Sequence, residues 1–101
     1  MMKDVIAYLI GYTATKNEFK QEIHMETRKE ILGKIDDVKR AEFYRAGEAG
    51  LHPEFVLTTA LIDYDGELEV ELDGKRYGVY RTYKISEDYI ELYCEWKGGV
   101  Q

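Results

Sequence analysis

Histidine and cysteine supply many of the nucleophiles and metal ligands in proteins, and this sequence contains only three such residues: His24, His52 and Cys94. The histidines are far apart, and no Cys-x-x-Cys pair, His-x-x-x-His pair, Gly-rich phosphate loop or nucleophile elbow accompanies them. A zinc site or an activated nucleophile requires several such groups together. The sequence therefore predicts no catalytic residues, no metal and no cofactor. The single cysteine allows no internal disulfide and is interpreted as a buried small hydrophobe.

Acidic side chains form two rows. Glu67, Glu69 and Glu71 alternate with apolar residues, and Glu91 and Glu95 do so near the C-terminus. Such rows are typical of the solvated face of a sheet, whereas general acid–base catalysis needs a carboxyl group in an apolar pocket. A functional interpretation is an acidic surface past which DNA slides without adhering, since like charges repel over a Debye length of about 8 Å.

The overall charge disfavours nucleic acid as a specifically bound ligand. The 101 residues include 14 Lys and Arg against 20 Asp and Glu, a net charge of −6, and binding of a phosphate backbone depends on Lys and Arg. The apolar run at residues 5–10 is far shorter than the roughly 20 residues of a membrane span, and nothing resembles a secretory signal. We expect a protein made in the cytoplasm with no membrane partner.

Tyrosine is the second unusual feature, because five of the nine tyrosines lie between residues 77 and 93. Alternation predicts four residues facing the core: Tyr77, Val79, Tyr83 and Ile85. It predicts three on the opposite face: Tyr80, Tyr89 and Tyr93. Arg81 has the core parity, so we expect it to be paired with an acid, to lie at a barrel rim, or to be displaced by a bulge near Gly78. The outer tyrosines indicate either cross-strand aromatic packing or a protein interface, where Tyr and Arg are enriched.

The C-terminal third predicts a three-stranded antiparallel meander. Residues 67–73 alternate between apolar and acidic, and Asp73-Gly74 is the dipeptide of a tight hairpin. A Tyr- and Val-rich run follows at residues 76–85, and residues 89–96 alternate again after a short turn. The predicted buried side holds Leu68, Val70, Leu72, Ile90, Leu92, Cys94 and Trp96.

The N-terminal half is less regular. Residues 5–12 form a β-rich run with two apolar faces, and residues 13–17 are interpreted as a turn. Residues 18–38 allow two interpretations, because alternation predicts a strand with Ile23 and Met25 inward while the apolar spacing also fits a helix. The helix face would hold Ile31, Leu32, Ile35 and Val38, with Gly33 weakly against it.

The middle of the chain predicts one short helical element. Residues 40–50 indicate a helical turn that ends at Gly47 or Gly50 and opens into a flexible Gly-rich loop. Pro53 marks the start of a new strand, and residues 55–62 are apolar on both faces. Residues 63–66, Asp-Tyr-Asp-Gly, are a turn signal. In total the sequence predicts five or six strands, without the spacing of βαβ units.

These elements predict one all-β domain over residues 1–101. Its natural closure is a small antiparallel β-barrel of five to seven strands, or a compact sandwich, because closure removes exposed strand edges.

Four blocks of the sequence, in their order and spacing, resemble a known family. They are EFYRAGEAGLHPEF at 42–55, DYDGE at 63–67, DGKRYGVYRTY at 73–83 and DYIELYCE at 88–95. The set resembles the head-closure proteins of long-tailed bacteriophages, which are also called head–tail joining, head-completion or stopper proteins. The sequence departs from common members in its acidic meander and in having Ile31-Leu32-Gly33 where an early strand often holds a tryptophan.

The resemblance implies a small β-barrel that assembles as a homo-oligomeric ring beneath the portal and adaptor proteins of the capsid. Such a ring closes the DNA-filled head and provides the surface to which the tail docks, through a tail-completion or tail-terminator protein. Packaged DNA passes through without specific binding, and the expected location is the head–tail connector of the virion. The resemblance also implies a strand before the Gly-rich loop, which favours the strand interpretation of residues 22–38.

Two candidate sites follow from this expected role. The expected subunit or adaptor interface holds Phe43, Tyr44, Arg45, Tyr80, Tyr89 and Tyr93. The expected mobile or channel-lining loop holds Ala46, Gly47, Glu48, Ala49, Gly50, Leu51 and His52. The alternative function is a small-barrel binding module for peptide or nucleic acid, although the sequence indicates no basic, aromatic-lined groove.

Overall fold

Residues 2–97 are described by the structure, a computed structural model of the chain. The elements are β1 Lys3–Lys16, β2 Glu22–Asp36, α1 Arg40–Glu48, β3 Pro53–Ala60, a 3-10 turn Leu61–Asp63, β4 Glu69–Leu72, β5 Lys75–Lys84 and β6 Tyr89–Trp96. The strands form a closed barrel in the order β1-β2-β3-β6-β5-β4, and every neighbouring pair is antiparallel. The prediction of a small all-β barrel is confirmed.

Strands β4, β5 and β6 form the predicted meander. Asp73 and Gly74 both have positive φ, 52° and 78°, as the two central residues of a type I′ hairpin require. Val70 and Leu72 of β4 are buried, and β6 buries three alternate residues: Ile90, Leu92 and Cys94. The first strand is shorter than expected, because Leu68 lies before β4 and is exposed.

A β-bulge changes which side chains of β5 face the core. Between Val79 and Arg81 the pairing with β6 shifts by one residue, so Tyr80 is an extra residue in β5. An extra residue reverses the alternation of all residues beyond it. Tyr77, before the bulge, is buried as predicted. Two residues beyond it were assigned to the core by parity and are instead exposed: Tyr83 and Ile85.

Residues 22–36 form a strand, so the strand interpretation is confirmed over the helix. The predicted turn at residues 13–17 is wrong, because β1 continues to Lys16 and the chain reverses at residues 17–21. Asn17 places this turn, since its Oδ1 accepts hydrogen bonds from the backbone N–H groups of Phe19 and Gln21 at 2.9 and 3.0 Å. Two residues predicted to face inward are exposed at this end of the hairpin: Ile23 and Met25.

Helix α1 is longer than predicted and ends in a Schellman motif. The backbone N–H of Leu51 donates to the carbonyl of Ala46, and that of Gly50 donates to Gly47, both at 3.0 Å. Gly50 has φ 83°, which confirms it as the helix stop, whereas Gly47 lies inside the helix. The first three residues of the predicted loop are therefore helical, and Ala46 among them is buried. Its last residue, His52, accepts a backbone hydrogen bond from Trp96 at 3.0 Å.

The barrel interior holds the hydrophobic core. Its members come from all six strands and include Ala7, Leu9, Ile31, Phe55, Leu57, Val70, Leu72, Tyr77, Ile90, Leu92 and Cys94. The two strands predicted to be apolar on both faces are confirmed as such, since β1 also buries Ile10 and β3 also buries Val56 outside this core.

Candidate interaction surfaces

Glu42, in the first turn of α1, is the centre of a polar cluster that attaches the helix to the barrel. The hydroxyl of Tyr80 donates a hydrogen bond to Oε2 of Glu42 at 2.7 Å, and Nη2 of Arg81 donates to Oε1 at 2.9 Å. Arg45, one turn along the helix, also pairs with Oε1. The Glu42 side chain is buried, so these three donors replace the water that its carboxylate loses on folding.

Tyr93 of β6 completes this Glu42 cluster. The guanidinium carbon of Arg81 lies 4.0 Å from the centroid of the Tyr93 ring, and the Tyr80 and Tyr93 rings meet edge to face with centroids 6.2 Å apart. A cation over an aromatic face is attracted by the ring's charge distribution. The bulge in β5 makes the arrangement possible, because it places Tyr80 and Arg81, two consecutive residues, within reach of one carboxylate.

The contacts in the Glu42 cluster fix its protonation state. Burial by itself raises the pKa of Glu42, but the hydrogen bonds from Tyr80, Arg81 and Arg45 together outweigh burial and leave the pKa lowered. Burial, followed by the nearby Glu42 carboxylate, raises the pKa of the Tyr80 hydroxyl. The carboxylate is therefore ionised and the phenol protonated at neutral pH. The cluster is suited to holding α1 in place, whereas acid–base chemistry needs a group that titrates near the working pH.

The structure brings together only half of the six predicted interface residues, namely Arg45, Tyr80 and Tyr93. Phe43 and Tyr44 lie on the outer side of α1, 49% and 64% exposed, with ring centroids 6.1 Å apart. Tyr89 is exposed at a different place, the start of β6.

Sequence reasoning missed the acid at the centre of the cluster. From the parity of Arg81 we expected an acidic partner, a place at the barrel rim, or displacement by a bulge. The structure shows both an acidic partner and a bulge. The partner is Glu42, 39 positions away, and no local pattern connects the two residues.

Acidic and basic side chains also pair across strands on the outer face of the barrel. Arg28 donates two hydrogen bonds to Glu71, both 2.7 Å long, and Nε of Arg76 donates to Glu71 at 3.1 Å. Arg76 also pairs with Glu69 at 3.2 Å and with Glu26 at 3.0 Å. We call these five residues the Glu71 network. The predicted acidic row therefore lies on the outer face, but Glu69 and Glu71 are paired there, because strand register places guanidinium groups beside their carboxylates.

Ile10 shows how the Glu71 network affects packing. The register places Ile10 of β1 between Arg28 of β2 and Glu69 of β4. Ile10 is fully buried although it lies outside the barrel core. Long charged side chains cover apolar surface with their aliphatic stems while their ends stay in water. We infer that the network extends burial to the outer face of β1.

We expect acid to remove stability that the Glu71 network provides. Hydrogen bonds from Arg28 and then Arg76 lower the pKa of Glu71 from 4.5 to about 2. A group whose pKa is lower in the folded state stabilises that state fully above its unfolded pKa, and the contribution is lost as the pH falls from 4.5 to about 2. In thermal unfolding over this range, Tm is expected to depend less steeply on pH in Glu71→Gln than in the unmutated chain.

Glu87→Gln is the control for this measurement, because Glu87 is exposed in the turn between β5 and β6. It should leave the dependence of Tm on pH unchanged. Equal slopes for Glu71→Gln and the unmutated chain would contradict the assignment.

The side chains considered for metal and nucleophilic chemistry do not converge in the described residues. Between residues 2 and 97, no three of the His, Cys, Asp and Glu side chains are grouped so that they could hold a metal ion. Nε2 of His24 lies 2.9 Å from Oε1 of Glu22 on an exposed hairpin. Cys94 is fully buried, as predicted, and burial raises the pKa of its thiol. No helix in this part of the chain is long and apolar enough to cross a membrane.

An apolar groove opens on the barrel where β2 and β3 diverge. The two strands pair only between Gly33 and Asp36 of β2, and beside Gly33 lies a space of about 720 Å³. Its apolar lining includes Val5, Leu32, Ala60, Ile85 and Tyr89. Leu32, Ile85 and Tyr89 are exposed, and exposed apolar surface of this kind is typical of binding sites.

Comparison with known proteins assigns no family to the chain. No family model matches it, and no curated protein matches it. Its function must therefore be inferred from these surfaces and from the sequence blocks that contribute to them.

Proposed function

We propose that this chain is a structural neck protein of a tailed bacteriophage or prophage. It forms a ring under the portal and adaptor, closes the DNA-filled head and provides the tail-docking surface. The observation that carries the proposal is that one small barrel exposes apolar side chains at separate places, on α1, in the apolar groove and on the β1–β2 hairpin. A closed ring is built from heterologous contacts, so each subunit needs at least two different contact surfaces.

The four sequence blocks that resemble head-closure proteins support the proposal, because they contribute to connected structure. The first block supplies Glu42 and Arg45, the third supplies Tyr80 and Arg81, and the fourth supplies Tyr93, which together make the Glu42 cluster. The second block forms the turn before β4, where Lys29 of β2 pairs with Asp65 and Glu67 at 2.8 and 3.5 Å. Three of the four blocks thus contribute side chains to the Glu42 cluster.

In this proposal the exposed side of α1 binds the adaptor. Phe43 and Tyr44 point away from the Glu42 cluster into solvent, and aromatic anchors held on a rigid element carry much of the energy of protein interfaces. Because Glu42 attaches α1 to β5, the two rings are presented on a fixed base. DNA would pass the ring without specific binding, since the guanidinium groups of the Glu71 network are already occupied by carboxylates.

The test uses DNA-filled, adaptor-bearing heads made by the same phage or prophage with this gene deleted. The purified chain is expected to sediment with these heads and to prevent loss of their DNA. Phe43→Ala/Tyr44→Ala is expected to attach roughly tenfold more weakly, because it removes two exposed aromatic anchors. The matched control is Leu68→Ala, which truncates an exposed apolar residue outside α1 and should attach normally.

Two results would contradict this proposal at different levels. Normal attachment of Phe43→Ala/Tyr44→Ala would show that α1 is not the docking surface. Failure of the unmutated chain to attach or to retain DNA would remove the neck function itself.

The second candidate function is a small-barrel binding module, and the apolar groove favours a peptide over nucleic acid as its ligand. A nucleic-acid groove is lined by cations and aromatic rings, whereas Asp4, Lys34 and Asp63 are the charged residues that line this groove. Binding of single- and double-stranded DNA at low and high salt tests the nucleic-acid version of this module. Tight, salt-sensitive binding would replace the neck proposal with a nucleic-acid module.

A further inference from the structure

The β1–β2 hairpin continues beyond the barrel as a two-stranded arm, residues 13–25. Across these residues β1 and β2 pair only with each other, since β1 meets β4 at Tyr8–Ile10 and β2 meets β3 at Gly33–Asp36. The longest dimension of the molecule, 51 Å, exceeds the next, 32 Å, by 19 Å. That difference is about the length of a six-residue strand, so the arm accounts for the elongated shape.

The arm has an apolar tip and one uncharged face. Phe19 lies in the turn and is exposed. Thr13 pairs with Met25 and Thr15 with Ile23, so these four side chains share one face, because directly opposed residues of an antiparallel pair point to the same side. Ile23 and Met25 are exposed as well.

An isolated two-stranded hairpin is at best marginally stable in water and gains stability from a third strand or from packing. The arm cannot obtain that packing from its own apolar groove. Leu32 lies nine positions along β2 from Ile23, which is roughly 30 Å of extended strand, and the arm points away from the barrel. The arm of one chain therefore cannot fill the groove of that same chain. A side chain that fills the groove, or a surface that covers the arm, would belong to another molecule.

We propose that the tip of the arm of one subunit inserts into the apolar groove of a second copy of this chain. Phe19 enters the groove beside Leu32 and Tyr89. The arm and the groove are different surfaces, so the contact is heterologous and repeats around a ring. This inference rests on the ring proposed above and names the contact that closes it.

One pair of charges is complementary between the two surfaces. Lys20 follows Phe19 in the turn, and Asp63 lines the groove, whereas Lys34 of the groove is already paired with Asp4 at 3.5 Å. Within residues 2–97 no ion pair involves Lys20 or the Asp63 carboxylate. Opposite charges at the rim of a contact guide encounter and fix orientation more than they add affinity.

The size of the contact explains why it requires assembly. One face of an arm about 20 Å long and 10–15 Å wide covers roughly 200–300 Å², whereas a stable interface buries about 800 Å² on each partner. A single arm–groove contact is therefore weak. In a ring each subunit makes the contact twice, and the last contact, which closes the ring, is intramolecular, so closure stabilises what one pair cannot.

Disulfide trapping tests this weak contact in the full chain. Glu18→Cys/Leu32→Cys keeps Phe19 and places one thiol beside it on the tip and one in the groove, too far apart to bond within one chain. Cys94 is fully buried and does not compete. Under oxidation with copper phenanthroline at high protein concentration, non-reducing gels are expected to show trimers and larger species.

The matched control is Glu18→Cys/Leu68→Cys. Leu68 is 70% exposed and Leu32 is 73% exposed, so the control presents an equally accessible thiol on a different surface. Species above dimer are expected to form at least about tenfold faster in the Leu32 variant, because a docked thiol has a high effective concentration.

Each result decides the inference. Equal rates for the two variants, no species above dimer, or faster growth in the Leu68 variant would overturn the arm–groove contact. Attachment to heads is a separate readout. If the chain attaches normally but the Leu32 variant forms no species above dimer, the neck function stands and the arm–groove contact is wrong. If those species form but the chain does not attach, the contact stands and the neck function is wrong.

Discussion

Glu42→Ala is expected to lower the free energy of unfolding by about 2–3 kcal/mol. The Tyr80 hydroxyl and the Arg81 guanidinium of β5 donate to Glu42 of α1 at 2.7 and 2.9 Å. The substitution removes this acceptor and leaves both donors without it. The loss stays below that of a fully buried pair because Arg81 retains partial access to water. Urea denaturation followed by circular dichroism measures the change.

Glu48→Ala is the matched control, because Glu48 is an exposed residue of the same helix. It should change the free energy of unfolding by no more than about 0.5 kcal/mol. If Glu42→Ala is as stable as Glu48→Ala, the cluster does not attach α1 to the barrel.

The same cluster should respond to acid. The pKa of Glu42 is lowered in the folded state, so its stabilising contribution is present above the unfolded pKa and is lost as the pH falls through the folded pKa. The difference in unfolding free energy between the unmutated chain and Glu42→Ala is therefore expected to shrink in acid.

Gly33→Ala is expected to lower the free energy of unfolding by about 2–3 kcal/mol, which is the usual range for overpacking in a tight site. A Cβ atom at Gly33 would lie 2.8 Å from Cδ1 of Leu57 and 2.8 Å from the backbone carbonyl oxygen of Thr58. The Leu57 side chain can rotate, but the carbonyl belongs to β3, which pairs with β2 at this position. Relief of the clash would push the two strands apart where the barrel closes.

Gly47→Ala is the control and is expected to act in the opposite direction. Gly47 lies inside α1 with nothing within 4 Å of an added Cβ, and replacing a helical glycine by alanine stabilises by about 0.5–1 kcal/mol. Both variants are measured by urea denaturation. A stabilising or neutral Gly33→Ala would contradict the close approach of β2 and β3, and a destabilising Gly47→Ala would contradict a helix through that residue.

Local sequence determined much of this fold. The alternation around Val70 and Ile90, the Asp73-Gly74 turn and the proline at the start of β3 correctly predicted a meander and an all-β barrel. These features depend on neighbours within a few residues, where backbone conformation and side-chain direction are set by residue type. Of the residues assigned to the candidate interface, Tyr80 and Tyr93 meet, and Phe43 and Tyr44 are both exposed. Their role in binding stays a prediction.

Only the tertiary structure decided the remainder. One extra residue, Tyr80, reversed the parity of β5, exposed Tyr83 and brought Arg81 to Glu42. The hairpin arm and the pairing of Glu71 with Arg28 across β1 likewise depend on which strands lie side by side. Parity is a local property only while pairing stays regular, and salt bridges between distant residues depend on register. Both are therefore fixed when the barrel closes, which sequence spacing alone does not specify.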